Sequence, residues 1–231
     1  MSYLAFLASF GVSGAHPGGF RLTKKMLATL GLREDMNILD AGCGTGETAA
    51  YIAETWGAKV SCIELNPLMA DKAEKRMADR GLQMNIHRGS VEDMPYEDNQ
   101  FDLVLSESVL AFVKKPAALR EMHRVLKKNG VLIANELTLL NRLPAHSERE
   151  IADTYGLDTV LQQEDWIQLL FNSGFSHLHT FREEPMWQQA QHDYQPSVNL
   201  PPELIENYKQ HLLIMGKYQE HLSYKIFQGR K

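Results

Sequence analysis

Ile38-Leu39-Asp40-Ala41-Gly42-Cys43-Gly44-Thr45-Gly46-Glu47 is the stretch on which the fold turns. A short apolar run enters it, and a helical pattern over about 47–55 leaves it. Three glycines at alternating positions let the backbone bend sharply and approach a ligand with no Cβ in the way. The helix start then offers free N–H groups to a polar ligand. A nicotinamide dinucleotide turn has the spacing G-x-G-x-x-G. Counted from Gly42 and Gly44, its third glycine would fall on Glu47, whereas this chain places it at Gly46. Glu47 also sets a negative charge where a pyrophosphate would lie. No G-x-x-x-x-G-K-[ST] phosphate loop occurs. The turn therefore suits a nucleoside-like ligand better than a dinucleotide.

Working outward, strand-like runs recur at 37–40, 59–64, 84–87, 101–106 and 131–136, with helical patterns between them. This alternation predicts a doubly wound α/β fold with helices on both faces of a mostly parallel sheet. Asn66-Pro67 reads as a helix start, followed by Met69, Ala73 and Met77 on one stripe. Leu119, Met122, Val125 and Leu126 form a second stripe. Its last turn is read as holding Lys127 and Lys128, with Asn129-Gly130 as the stop. Further on, helices are expected near 148–155, 165–172 and 202–218, and two late strands at 177–181 and 224–227. The second strand ends in Glu64, an acid able to accept hydrogen bonds from both hydroxyls of a ribose.

The 231 residues are 44% apolar and 23% charged, with a net charge of −5. That is ordinary globular composition, and the acidic balance disfavours a general grip on nucleic acid. We expect one domain. Residues 1–19 would form an N-terminal lid and 20–140 the cofactor-binding core. Residues 141–231 would form a sheet edge with substrate-covering insertions at about 138–163 and 185–220. The apolar start at 3–12 is too short to span a bilayer, as is every later run. Two cysteines, Cys43 and Cys62, do not make a disulfide scaffold, so a reducing cytoplasm is the expected compartment. No residue pattern speaks to oligomeric state.

With these residues in place, the chain resembles the class I S-adenosylmethionine-dependent methyltransferases, in particular the broad group related to the ubiquinone/menaquinone-biosynthesis enzymes. Residues 40–46 match that family's first motif, and Glu64-Leu65-Asn66 its ribose-binding acid. Gly89 to Tyr96, then Phe101-Asp102-Leu103-Val104, match the next two elements. Leu119 to Gly130 matches the helix and turn before the fifth strand. The resemblance spans about residues 20–140 and implies a Rossmann-like, seven-stranded sheet whose last strand is antiparallel. It implies S-adenosylmethionine as cofactor and S-adenosylhomocysteine as product. By position, Asp40 would orient the turn and accept from the methionine ammonium, and Gly42 and Gly44 would line the methionine moiety. Leu65 and Met69 would pack beside ribose and adenine. Val91 would meet the adenine edge, with Glu92 beside it. Ser106 would supply a carbonyl near the sulfonium. Ser90 stands where family members often carry Asp.

A sulfonium methyl is already an electrophile, so the chain has to align an acceptor and exclude water. A general base is needed only for an acceptor that holds its proton at neutral pH. Candidates at the strand ends are Glu107 and Glu136, with His16 as a third from the segment before the first helix. Each also has a plainer reading, as a helix cap, a solvent-facing acid or a turn brace. His177 and His179 read as one strand face, but no third ligand is evident, so no metal is expected. Trp166, Trp187 and Tyr194 are candidates for an acceptor pocket, the last two favoured because they lie in the insertion at about 185–220. Ser106-Glu107-Ser108-Val109 lacks the Asn/Asp-Pro-Pro-aromatic segment of base and glutamine methylating enzymes. A small-molecule acceptor is therefore expected. The alternatives are a protein or RNA methyltransferase, or a cofactor-binding module without turnover.

Overall fold

The computed structural model describes residues 3–10, 12–14, 16–182, 193–194 and 202–231. Helix α1 (Tyr3–Phe10), a two-residue strand β1 (Val12–Ser13) and helix α2 (Gly19–Thr29) lead into strict alternation. This runs β2 (Asn37–Ala41), α3 (Glu47–Trp56), β3 (Lys59–Glu64), α4 (Pro67–Asp79), β4 (Ile86–Arg88), β5 (Phe101–Glu107), α5 (Lys115–Val125) and β6 (Leu126–Leu139). Then follow α6 (Ala145–Tyr155), α7 (Gln163–Asn172), β7 (Ser176–Arg182), β8 (Asp193–Tyr194), α8 (Pro202–Tyr218) and β9 (Leu222–Arg230).

Seven strands form one sheet in the order β4-β3-β2-β5-β6-β9-β7. The pairs β3/β4, β2/β3, β2/β5 and β5/β6 are parallel, and β9 is antiparallel to both β6 and β7. This is the expected Rossmann-like sheet with its antiparallel last strand. The chain reverses its direction of travel across the sheet between β2 and β5, and in such sheets the crevice beyond the strand ends binds ligands. The pairing of β1 with β8 was not foreseen, since two-residue strands leave no periodicity to read.

The central strands are apolar on both faces, as parallel strands covered by helices must be. Ile38, Leu103, Leu105 and Ile133 face α2 and α3, packing against Leu22, Met26, Leu27 and Ile52. Leu39, Val104, Leu132 and Ala134 face the other way, against Leu119 and Met122 of α5 and Trp166 of α7. Asn66 caps α4 by accepting from the Leu68 and Met69 N–H groups. One helix end differs from expectation. α5 stops at Val125, because the Arg124 and Val125 carbonyls accept from Asn99 and Gln100 and Leu126 turns into the sheet. Lys127 then pairs with Asp102 at 2.8 Å and does not cap a helix. Among the described residues no helix is long and apolar enough to cross a membrane.

Candidate functional site

A cavity of about 450 Å³ opens beyond the carboxyl ends of β2, β3 and β5. Pockets for small ligands typically measure about 300–1,000 Å³. One side is the glycine turn. The Gly42 and Cys43 N–H groups donate to the Ile63 carbonyl, which pins the turn to β3. Gly42 sits at φ 81, and a Cβ there would stand 2.4 Å from Val109 Cγ2, so close packing excludes any side chain. Gly44, at φ 55, is different in that a Cβ there would meet nothing within 4 Å; both glycines line the cavity.

Three acids face this side. Glu64 accepts from the Gly44 N–H at 2.9 Å and the Asn66 N–H at 2.8 Å, tying the turn to the α4 cap. Burial pushes its carboxyl up, and those donors oppose the shift. Asp40 is buried, and its Oδ2 has no hydrogen-bond partner. Burial, then the charges of Glu107 and Glu64, push its carboxyl well above the usual range. A bound cation would relieve that repulsion.

Glu107, the third acid, accepts from Thr23 Oγ1 of α2 at 2.7 Å and from Thr48 Oγ1 of α3 at 3.0 Å. His16 Nε2 lies 3.1 Å from Thr23 Oγ1 and 3.5 Å from Glu107 Oε1. Thr23 has one hydroxyl proton; given to Glu107, it leaves Oγ1 to accept from His16 Nε2–H. Asn135 donates to the Pro17 carbonyl at 2.9 Å and braces the segment that carries His16. Thr23, Thr48 and Asn135 were not singled out in the sequence, where a helical threonine carries no mark of its partner.

Glu136 must be corrected. It is fully buried, away from the cavity lining, and accepts from the Val109, Leu110 and Ala111 N–H groups at 3.1, 2.9 and 3.2 Å. It anchors the short 3₁₀ turn Leu110–Phe112 that follows β5. Burial raises its carboxyl to about 7 against those three donors. Ser106 is likewise fully buried and off the lining, one residue before Glu107 reaches it. Glu92 is also off the lining; it accepts from the Lys114 N–H, while its own N–H donates to Ser90 Oγ. Leu65, Met69, Ser90 and Val91 do line the cavity.

His177 and His179 do not share a regular strand face, because His177 sits at φ 47 beside a register shift in β7. Trp166 is core, with its Nε1 donating to the Leu137 carbonyl. Trp187 lies outside the described residues; Tyr194 lies in β8, with only its backbone described. The far wall of the cavity includes Tyr155 of α6 and Tyr208, His211, Leu212 and Met215 of α8; they lie in the two segments expected to cover a substrate, but none of these side chains was singled out in the sequence. A signal existed, since Tyr208, Leu212 and Met215 form an apolar stripe at helical spacing.

A methyltransferase-domain family model matches residues 39–134. The Bacillus subtilis (strain 168) protein described as uncharacterized methyltransferase YodH is 35% identical over 227 residues, covering 97% of both chains. Sarcosine/dimethylglycine N-methyltransferase of Halorhodospira halochloris is 29% identical over 150 residues, 64% of this chain and 54% of that one. Among solved structures, Haemonchus contortus phosphoethanolamine N-methyltransferase 2 in complex with S-adenosyl-L-methionine superposes with a TM-score of 0.77 at 16% identity. It covers 99% of this chain and 56% of that one, a likeness of fold. Motif, sheet, cavity and relatives agree: the chain belongs to the class I S-adenosylmethionine-dependent methyltransferases, enzymes that take S-adenosylmethionine as cofactor.

Proposed function

We propose that the chain transfers a methyl group to a small-molecule acceptor by in-line displacement inside this cavity. The residues present suit the cofactor. Asp40 has an unpartnered buried oxygen and two neighbouring acids, an environment that favours a ligand carrying ammonium and sulfonium charge. Gly44 leaves open space where a side chain would intrude. Asp40 and the glycine turn would hold the methionine end, and Glu64 would accept from the ribose hydroxyls while keeping its backbone donors. Leu65, Met69, Ser90 and Val91 would flank ribose and adenine. The bound cofactor supplies an activated sulfonium methyl.

The chain's own residues do the rest. Proximity and orientation contribute about 7–11 kcal/mol in well-aligned reactions. Glu107 would take a proton from the acceptor, held in place by Thr23 and Thr48, with His16 behind Thr23. Glu136 and Ser106 have no contact with the reacting atoms in this scheme; Glu136 shapes the turn beside them.

The observation that carries the reading is that one cavity holds both the acid-lined glycine turn and an apolar far wall, which supports an acceptor small enough to fit within it. The related N-methyltransferase is named for acceptors small enough to do so. The test supplies methyl-labelled S-adenosylmethionine with cell extract split by size. Label in the low-mass fraction is expected; label confined to protein or RNA would overturn the reading.

A further inference from the structure

The two ends of the cavity have opposite chemistry. Asp40, Glu64 and Glu107 face one end. At the other, Phe112, Leu137, Leu157 and Met215 belong to an apolar cluster built from α6, α8 and the adjoining strands. The polar atoms on this wall come from Tyr155, Tyr208 and His211. The Tyr155 hydroxyl lies 3.0 Å from His211 Nδ1. The Tyr208 ring stacks on the His211 ring, with 24° between planes. Among the described residues no lysine or arginine lines the cavity, and the sequence from 183 to 201 contains none.

An anion on this wall would have no guanidinium or ammonium among the described lining residues to pair with. It would also share the cavity with three carboxylates. A flat apolar ring, in contrast, matches a wall of aliphatic and stacked aromatic side chains. We propose that the acceptor is an uncharged, largely apolar ring compound, held at a polar substituent by the Tyr155–His211 pair, and that phosphate- or carboxylate-bearing acceptors are excluded. This rests on the small-molecule reading above and narrows it. It sets this chain apart from the N-methyltransferase relative, whose named acceptors, sarcosine and dimethylglycine, are amino acids.

The test is calorimetry on the full chain saturated with S-adenosylhomocysteine, titrated separately with 2-naphthol, sarcosine and phosphoethanolamine. Saturable binding of 2-naphthol is expected, with none for the two charged compounds. Tyr208→Ala and His211→Ala should each weaken 2-naphthol binding at least fivefold and change S-adenosylhomocysteine affinity less than twofold, which also reports folding. Leu212→Arg, at a position 51% exposed, should weaken 2-naphthol binding and admit phosphoethanolamine. Binding of either charged compound by the wild-type chain, or no binding of 2-naphthol, overturns the proposal. Failure of the broader reading looks different: the size-split labelling then marks protein or RNA and leaves the low-mass fraction blank.

Discussion

The carboxyl ends of β5 and β6 lie side by side, and each carries a glutamate. Glu107 accepts from threonines of α2 and α3 and faces the cavity. Glu136 is closed over by three backbone N–H groups and faces no ligand space. The difference is one of parity. Glu107 is registered with Asn135, so those two side chains share the face that packs on α2 and α3. Glu136 is one residue further on, and successive side chains of a strand point to opposite faces. It therefore enters the other layer, where the 3₁₀ turn supplies donors. Two acids of the same type at neighbouring strand ends are thus separated into a group open to chemistry and a structural anchor.

The sharpest way to break that contrast is Glu107→Gln, which keeps shape and removes the base. Turnover on an acceptor that must lose a proton should fall about 10²–10⁴-fold, with unfolding stability little changed. Near-normal kcat on such an acceptor would end the assignment of Glu107. Glu136→Ala should do the reverse. It leaves three buried N–H groups without an acceptor and should cost about 3 kcal/mol of stability in urea unfolding, while kcat per folded molecule stays within a few-fold.

Glu136 also predicts a pH signature. Its carboxyl titrates at about 7 when folded, against the ordinary 4.5. Between those values the folded state holds the extra proton, so its contribution to stability is present at low pH and lost as pH rises through about 7. Glu136→Gln removes that titration. Its stability relative to wild type should climb from pH 5 to pH 8, by on the order of 3 kcal/mol. A flat difference would show that the three donors outweigh burial.

Smaller effects test the glycine side and the cover. Glu64→Ala should weaken S-adenosylhomocysteine binding at least tenfold, about 1.4 kcal/mol by calorimetry. Unchanged affinity in a folded variant removes the ribose role and leaves Glu64 as a brace for Gly44 and Asn66. Deleting residues 1–10 should lower turnover several-fold with a smaller loss of stability. α1 brings Leu7 to the cavity and is held from α4 by Lys72, whose Nζ donates to the Ala8 carbonyl at 2.8 Å. Full activity without α1 would exclude a lid.

From the residues alone came the seven sheet strands, the glycine turn, the acid at the end of β3 and the helix started by Asn66-Pro67. These are local matters: period, caps and backbone freedom act over a few residues and leave their mark in the order of the chain. Which strand-end acid meets the cavity was settled only in the tertiary structure, because both faces of β5 and β6 are buried and their pattern carries no contrast between inside and outside. The same holds for His16, Thr23, Thr48 and Glu107, which come from four separate segments, and for the α8 wall. Their meeting depends on how helices dock on a sheet, a long-range packing outcome that no single stretch encodes.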